Sequence, residues 1–136
     1  MNLNKPHISV ILDANFLFIP LRFGIDIFEE LQRLFGNVRC VVTTPVIDEL
    51  RLLRVDSKPS LIRDIDFAIK MTKRCDVMDE CLKTGETVDD SIVRVAKETR
   101  FPVATNDAEL KRRLKKEGIP VVYLRKRSYL EVDGVV

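Results

Sequence analysis

Apolar runs of strand length alternate along the chain with longer segments of helical period. The runs Ile8 to Leu12, Val38 to Val42, Pro102 to Thr105 and Pro120 to Leu124, with a weaker Cys75 to Met78, predict strands. Three of them are nearly continuous Val/Ile-type stretches, which suits a parallel sheet covered on both faces. Helices are predicted between them from their end signals. Asp26-x-x-Glu29 reads as a capping box for a helix ending at Gly36, and Thr44 followed by Pro45 as the start of a helix to Arg54. After the turn residues Asp56 to Ser60, Leu61, Ile65, Ala68, Ile69 and Thr72 form one stripe. Thr87-x-x-Asp90 opens a helix to about Thr99, and Asn106-x-x-Glu109 opens another ending near Gly118. No repeat or linker interrupts this alternation, so a single α/β domain is expected.

Composition narrows the classes. The chain has 136 residues, 46% hydrophobic and 32% charged, enough to bury a core without disulfides and too rich in apolar residues for a disordered tail. No apolar run approaches the roughly 20 residues of a membrane span. Met1 to Pro6 carries no leader-like apolar region, and a cytoplasmic, membrane-free protein is expected. Cys40, Cys75 and Cys81 form no CxxC pair and read as reduced residues in or near the core. His7 is the one histidine, so Ser-His or Cys-His chemistry has a single, poorly placed candidate. The net charge of +2 makes the distribution of charge more informative than its sum.

That distribution singles out carboxylates at core-facing positions. Asp13 ends the first strand, where open α/β sheets place ligand-binding groups. Glu49 shares a helical stripe with Val46 and Leu53, while Asp48 has Arg51 at i+3. Asp89 lies in line with Ile92, Val93 and Ala96, whereas Asp90 aligns with Arg94 and Lys97 and fits the capping box from Thr87. Asp107 starts the helix that carries Leu110 and Leu114. Carboxylates gathered in one crevice repel one another, and a divalent cation relieves that. Oxygen donors without His or Cys select a hard ion, Mg²⁺ or Mn²⁺, suited to phosphodiester hydrolysis without a histidine base. Basic residues Lys111, Arg112, Arg113, Lys115 and Lys116, then Arg125-Lys126-Arg127, follow the last two strands and could hold a polyanion. Tyr123 and Tyr129 read as packing residues. Phe16-Leu17-Phe18-Ile19-Pro20 reads either as core cover or as a homodimer contact.

The pattern resembles the PIN-domain nucleases. The matching pieces are Leu12-Asp13-Ala14-Asn15 for the family's D-x-N strand end, and Glu49 in Pro45 to Leu50. Asp89 with Ile92 and Ala96 matches its D-x-x-I-x-x-x-A helix start, and Ala104-Thr105-Asn106-Asp107 its T-N-D. The form of the last two motifs is similar to the ribosome-biogenesis branch and its archaeal single-domain relatives, although the zinc-binding segment of some members has no counterpart here. The resemblance implies a three-layer domain over residues 1–136, with a core at about 8–124 and a C-terminal extension at 125–136. It implies a parallel sheet of about five strands ordered 3-2-1-4-5 with helices on both faces.

It further implies a Mg²⁺- or Mn²⁺-dependent endoribonuclease with Asp13, Glu49, Asp89 and Asp107 as metal ligands. Asn15, Asp90, Thr105 and Asn106 would orient those ligands. From the charge distribution, and not from the resemblance, Lys111, Arg112, Arg113, Arg125, Lys126 and Arg127 are expected to contact single-stranded or structured RNA. A homodimer, a processing complex or an antitoxin are the partners that such a relationship suggests. Rival readings are a toxin-type ribonuclease, a phosphohydrolase with Asp13 as nucleophile, and a catalytically idle RNA- or protein-binding module.

Overall fold

A computed structural model describes residues 7–136. Met1–Pro6, on which the expectation of no leader rests, lies outside the described residues. The central strand β1 (Ile8–Leu12) is followed by a 3₁₀ turn (Ala14–Phe18) and the short helix α1 (Ile19–Phe23). Then come α2 (Ile27–Phe35), β2 (Val38–Thr43), α3 (Thr44–Val55), α4 (Pro59–Met71) and β3 (Asp76–Met78). The second half contributes α5 (Val88–Thr99), β4 (Val103–Ala104), α6 (Ala108–Lys116), β5 (Val121–Arg125) and β6 (Tyr129–Asp133). The sheet order is β3-β2-β1-β4-β5-β6, parallel throughout except for β6, which runs antiparallel to β5. Among the described residues, no helix is long and apolar enough to cross a membrane.

The five parallel strands follow the expected order because β1, buried on both faces at Val10, Ile11 and Leu12, must lie centrally. From β1 the chain builds outward through β2 and β3, then returns to lay β4 on the other side of β1. The crevice therefore falls between β1 and β4, at the ends of their strands. The sixth strand is an addition to the sequence reading. Its residues Tyr129 to Asp133 alternate apolar and polar, the signature of an edge strand with one covered face, and carry no continuous apolar run. Its exposed edge is closed by α2: Glu30 accepts a hydrogen bond from Leu130 N (3.0 Å) and Arg33 donates to Leu130 O (2.8 Å).

Helix ends depart from the sequence reading in instructive ways. Asp26 caps α2 as expected, accepting from the backbone N–H groups of Phe28 and Glu29. Thr44, expected as a cap, is instead the first residue of α3. Its hydroxyl reaches across to the β3–α5 loop, donating to Glu80 O and accepting from Glu80 N. The cap of α6 is Asp107, accepting from Leu110 N at 3.0 Å, one residue later than Asn106. Phe16, Leu17, Phe18 and Ile19 are all buried and belong to the core of the single chain. Cys40 is buried and Cys75 partly so, whereas Cys81 is exposed on the loop before α5.

Candidate active site

Asp13 occupies the end of β1 because its backbone N–H continues the sheet, donating to Ala104 O at 2.9 Å, while its side chain caps the 3₁₀ turn. Its Oδ1 accepts from Ala14 N (2.8 Å), and its Oδ2 accepts from the Thr105 hydroxyl (2.7 Å) and Asn15 Nδ2 (3.1 Å). Thr105, fully buried at the end of β4, takes the Asp107 N–H on the same oxygen at 3.0 Å. Asn15 Oδ1 accepts from Asn106 N (3.1 Å), and Asn106 Oδ1 accepts from Leu124 N (2.8 Å). Asn15, Thr105 and Asn106 thus tie the ends of β1, β4 and β5 into one lattice that orients Asp13 and Asp107.

Glu49 reaches the same place from α3 and Asp89 from α5. The four carboxylates of Asp13, Glu49, Asp89 and Asp107 line a single open cleft of about 660 Å³, walled by Phe18, Leu50, Leu53 and Leu61. None of the four forms a salt bridge with Lys or Arg among the described residues. Burial, reinforced by the charges of Asp89 and Asp107, pushes the Asp13 carboxyl up to about 6, against the pull of its Thr105 and Ala14 hydrogen bonds. Burial and the neighbouring Asp13 and Asp89 raise Glu49, and burial and Asp107 raise Asp89 despite the nearby Arg113.

Other residues fall differently from expectation. Glu49 sits at the rim, not within a buried stripe, because α3 projects past the sheet: Val46 is buried but Leu53 is 48% exposed and Leu52 75%. Asp90 faces away from the cleft. It completes the capping box, accepting from Thr87 N at 3.0 Å, and pairs with Arg113 of α6 at 2.8 Å. Asp90 therefore fixes α5 against α6. Arg94, expected beside Asp90, instead binds Glu86 (2.9 Å) and Glu80 (3.4 Å) and pins the loop that leads into Asp89.

The basic rim is partly spent inside the fold. Arg112 pairs with Glu109, Arg125 with Glu131 at 2.8 Å, and Lys115 with Asp133 at 3.0 Å. Lys111 stands 3.4 Å from the Tyr123 ring centroid and 3.8 Å from Asp133. Lys126 and Arg127 have no ion-pair partner among the described residues. Sequence reasoning missed Arg22, a cleft-lining cation on α1 that stacks on Phe18 at 4.5 Å. No spacing signal marks it, since α1 is too short to show a period.

The donor set suits a hard divalent cation: carboxylate oxygens only, crowded enough to raise one another's proton affinity. Among the described residues, no three His, Cys, Asp or Glu side chains are already drawn together to hold an ion.

The chain is similar in sequence and fold to several known proteins. The sequence pattern of the "PIN like domain" family matches residues 10–127. Ribonuclease VapC4 of Methanocaldococcus jannaschii is 32% identical over 132 residues, covering 94% of this chain and 98% of that protein. The rRNA-processing protein FCF1 of Saccharomyces cerevisiae is 30% identical over 129 residues, and the match spans 93% of this chain but 65% of FCF1. The solved structure of the PIN domain endonuclease Utp24 superposes with a TM-score of 0.78 at 29% identity, covering 94% of this chain and 92% of that one.

Proposed function

The chain belongs to the PIN-like domain family, and from that premise we propose that it is a divalent-metal-dependent endoribonuclease that hydrolyses RNA phosphodiester bonds in rRNA processing. The observation that carries this reading is the cleft itself: four carboxylates from separate stretches of chain share it, and none of them forms an ion pair with Lys or Arg among the described residues. Such an arrangement stores electrostatic repulsion that serves no purpose in holding the fold together. Asp13, Glu49, Asp89 and Asp107 would hold Mg²⁺ or Mn²⁺. When bound, the ion supplies positive charge to polarise the phosphodiester and to stabilise the charge of the leaving oxygen.

The chain's own residues do the rest. Thr105 and Asn15 hold Asp13 in one rotamer by donating to its Oδ2, so its outward lone pairs keep a fixed direction. The Asp107 N–H on Thr105 sets the start of α6, and with it the Asp107 carboxylate. The apolar wall of Leu50, Leu53 and Leu61 lowers the local dielectric and strengthens each charge interaction in the cleft.

Incubation of the chain with single-stranded and structured RNAs under Mn²⁺ or Mg²⁺, with and without chelator, tests the reading. Endonucleolytic cleavage should require the metal and fall by about a hundredfold or more in Asp13→Asn. Metal-independent cleavage, or full activity in that variant, removes the mechanism. The end-to-end match with VapC4 favours a second reading, a toxin-type ribonuclease. Preferential cleavage of tRNA or mRNA over precursor rRNA would select it.

A further inference from the structure

Lys126 and Arg127 are the two central residues of the turn that joins β5 to β6, closed by Ser128 N donating to Arg125 O at 3.1 Å. Both have positive φ, 53° and 55°. Glycine and asparagine adopt such values cheaply, which is why Asn-Gly dominates turns of this kind, and long side chains are strained there. Two adjacent cations in this conformation are poor turn chemistry, and strain of that sort persists where the site has another use for the side chains.

Charge supplies an independent observation. The other arginines of the rim, Arg112, Arg113 and Arg125, are matched to Glu109, Asp90 and Glu131. At the hairpin crest Lys126 and Arg127, like Lys116 at the end of α6, form no ion pair among the described residues. Beneath it lies a cavity of about 360 Å³, lined by Thr105, Asn106, Lys111, Tyr123, Lys126 and Arg127. Thr105 of this cavity donates to Asp13 of the acidic cleft at 2.7 Å, so the two are joined by one hydrogen bond. A polyanion crossing the acidic cleft meets repulsion and needs fixed cations next to it.

We propose that the hairpin crest and the cavity under it form an accessory site for a backbone phosphate of the RNA strand, beside the phosphodiester that enters the acidic cleft. The inference rests on the ribonuclease reading and adds to it a place where the strand is gripped. Lys126 and Arg127 supply the charge, Lys111 a third donor held against Tyr123, and the hairpin fixes their position at the expense of backbone strain.

The test compares the full-length wild-type chain with two double variants, Lys126→Asn/Arg127→Gly and Lys126→Gln/Arg127→Gln. Binding of a labelled oligouridylate is followed by fluorescence anisotropy in EDTA across a KCl series. Both variants should lose affinity about tenfold, and the slope of log K against log salt should fall by roughly one. The Asn-Gly variant, relieved of strain, should also melt about 5 °C higher, while the Gln-Gln variant should not.

Unchanged affinity and slope in both variants overturns the site. So does a loss confined to Asn-Gly, which would report turn shape and not charge. A wild-type chain that binds through the hairpin yet cleaves nothing under Mn²⁺ sinks the nuclease reading and keeps the site. Cleavage with hairpin-independent affinity does the reverse.

Discussion

Asp13 is a charge held where the fold alone would prefer a proton. Its carboxyl is raised from an ordinary 3.8 to about 6 by burial, so the folded state keeps the proton over a range in which the unfolded chain releases it. Asp13 therefore contributes stability in full below about pH 4, and that contribution disappears as pH rises through 6. In chelator, the stability difference between Asp13→Asn and wild type should shift in favour of the variant by up to about 3 kcal/mol between pH 4 and 7. Urea denaturation at a series of pH values measures it, and a pH-independent difference would contradict the assignment.

Thr105 gives a second test at this scale, because its buried hydroxyl serves Asp13, Asn15 and the Asp107 N–H together. Thr105→Val keeps the volume, takes the acceptor from the Asp107 N–H and leaves Asp13 Oδ2 with Asn15 as its remaining donor. It should cost about 1–3 kcal/mol of stability and about 10–100-fold in activity, read by denaturation and RNA cleavage.

Among the elements, α5 and α6 are set as a pair. Asp90 caps α5 through Thr87 and clamps α6 through Arg113, so an acidic residue outside the cleft governs where Asp89 and Asp107 stand. Asp90→Ala should lower the melting temperature through loss of the cap and the partly exposed ion pair. Amide exchange should then quicken at the first turn of α5, with activity reduced several-fold. Asp90→Asn, which can still accept from Thr87 N, should restore the exchange protection. The capping box was legible in the sequence because it is a local motif. Its partner Arg113 was not, because the pair spans two helices whose contact depends on how each packs on the sheet.

For the whole molecule, folding must bring like charges together, and a bound cation would return that energy. Saturating Mn²⁺, at about a hundred times its dissociation constant, should add about 2.7 kcal/mol of stability and raise the melting temperature by roughly 8–10 °C at pH 7.5. The gain should shrink toward pH 5, where protons compete for Asp13, and should vanish in Asp13→Asn. A differential scanning measurement with Mn²⁺, Mg²⁺ and Ca²⁺ decides it. An equal rise in wild type and variant would place the ion elsewhere.

An α/β domain with a parallel sheet and four candidate carboxylates was legible in the residue pattern, whereas the strand order came from the likeness to a known family. Buried strands leave continuous apolar runs such as Val10-Ile11-Leu12, and a carboxylate at a strand or helix end in that setting stands out against them. Which polar side chains meet was set by packing alone. Nothing local shows that Arg22 lines the cleft, that Asp90 faces Arg113, or that Tyr129 to Asp133 closes the sheet as an edge strand sealed by α2. Periodicity records which face of an element avoids water. The partners across the resulting gaps are set by the packing of distant segments, and a one-dimensional pattern carries no trace of that.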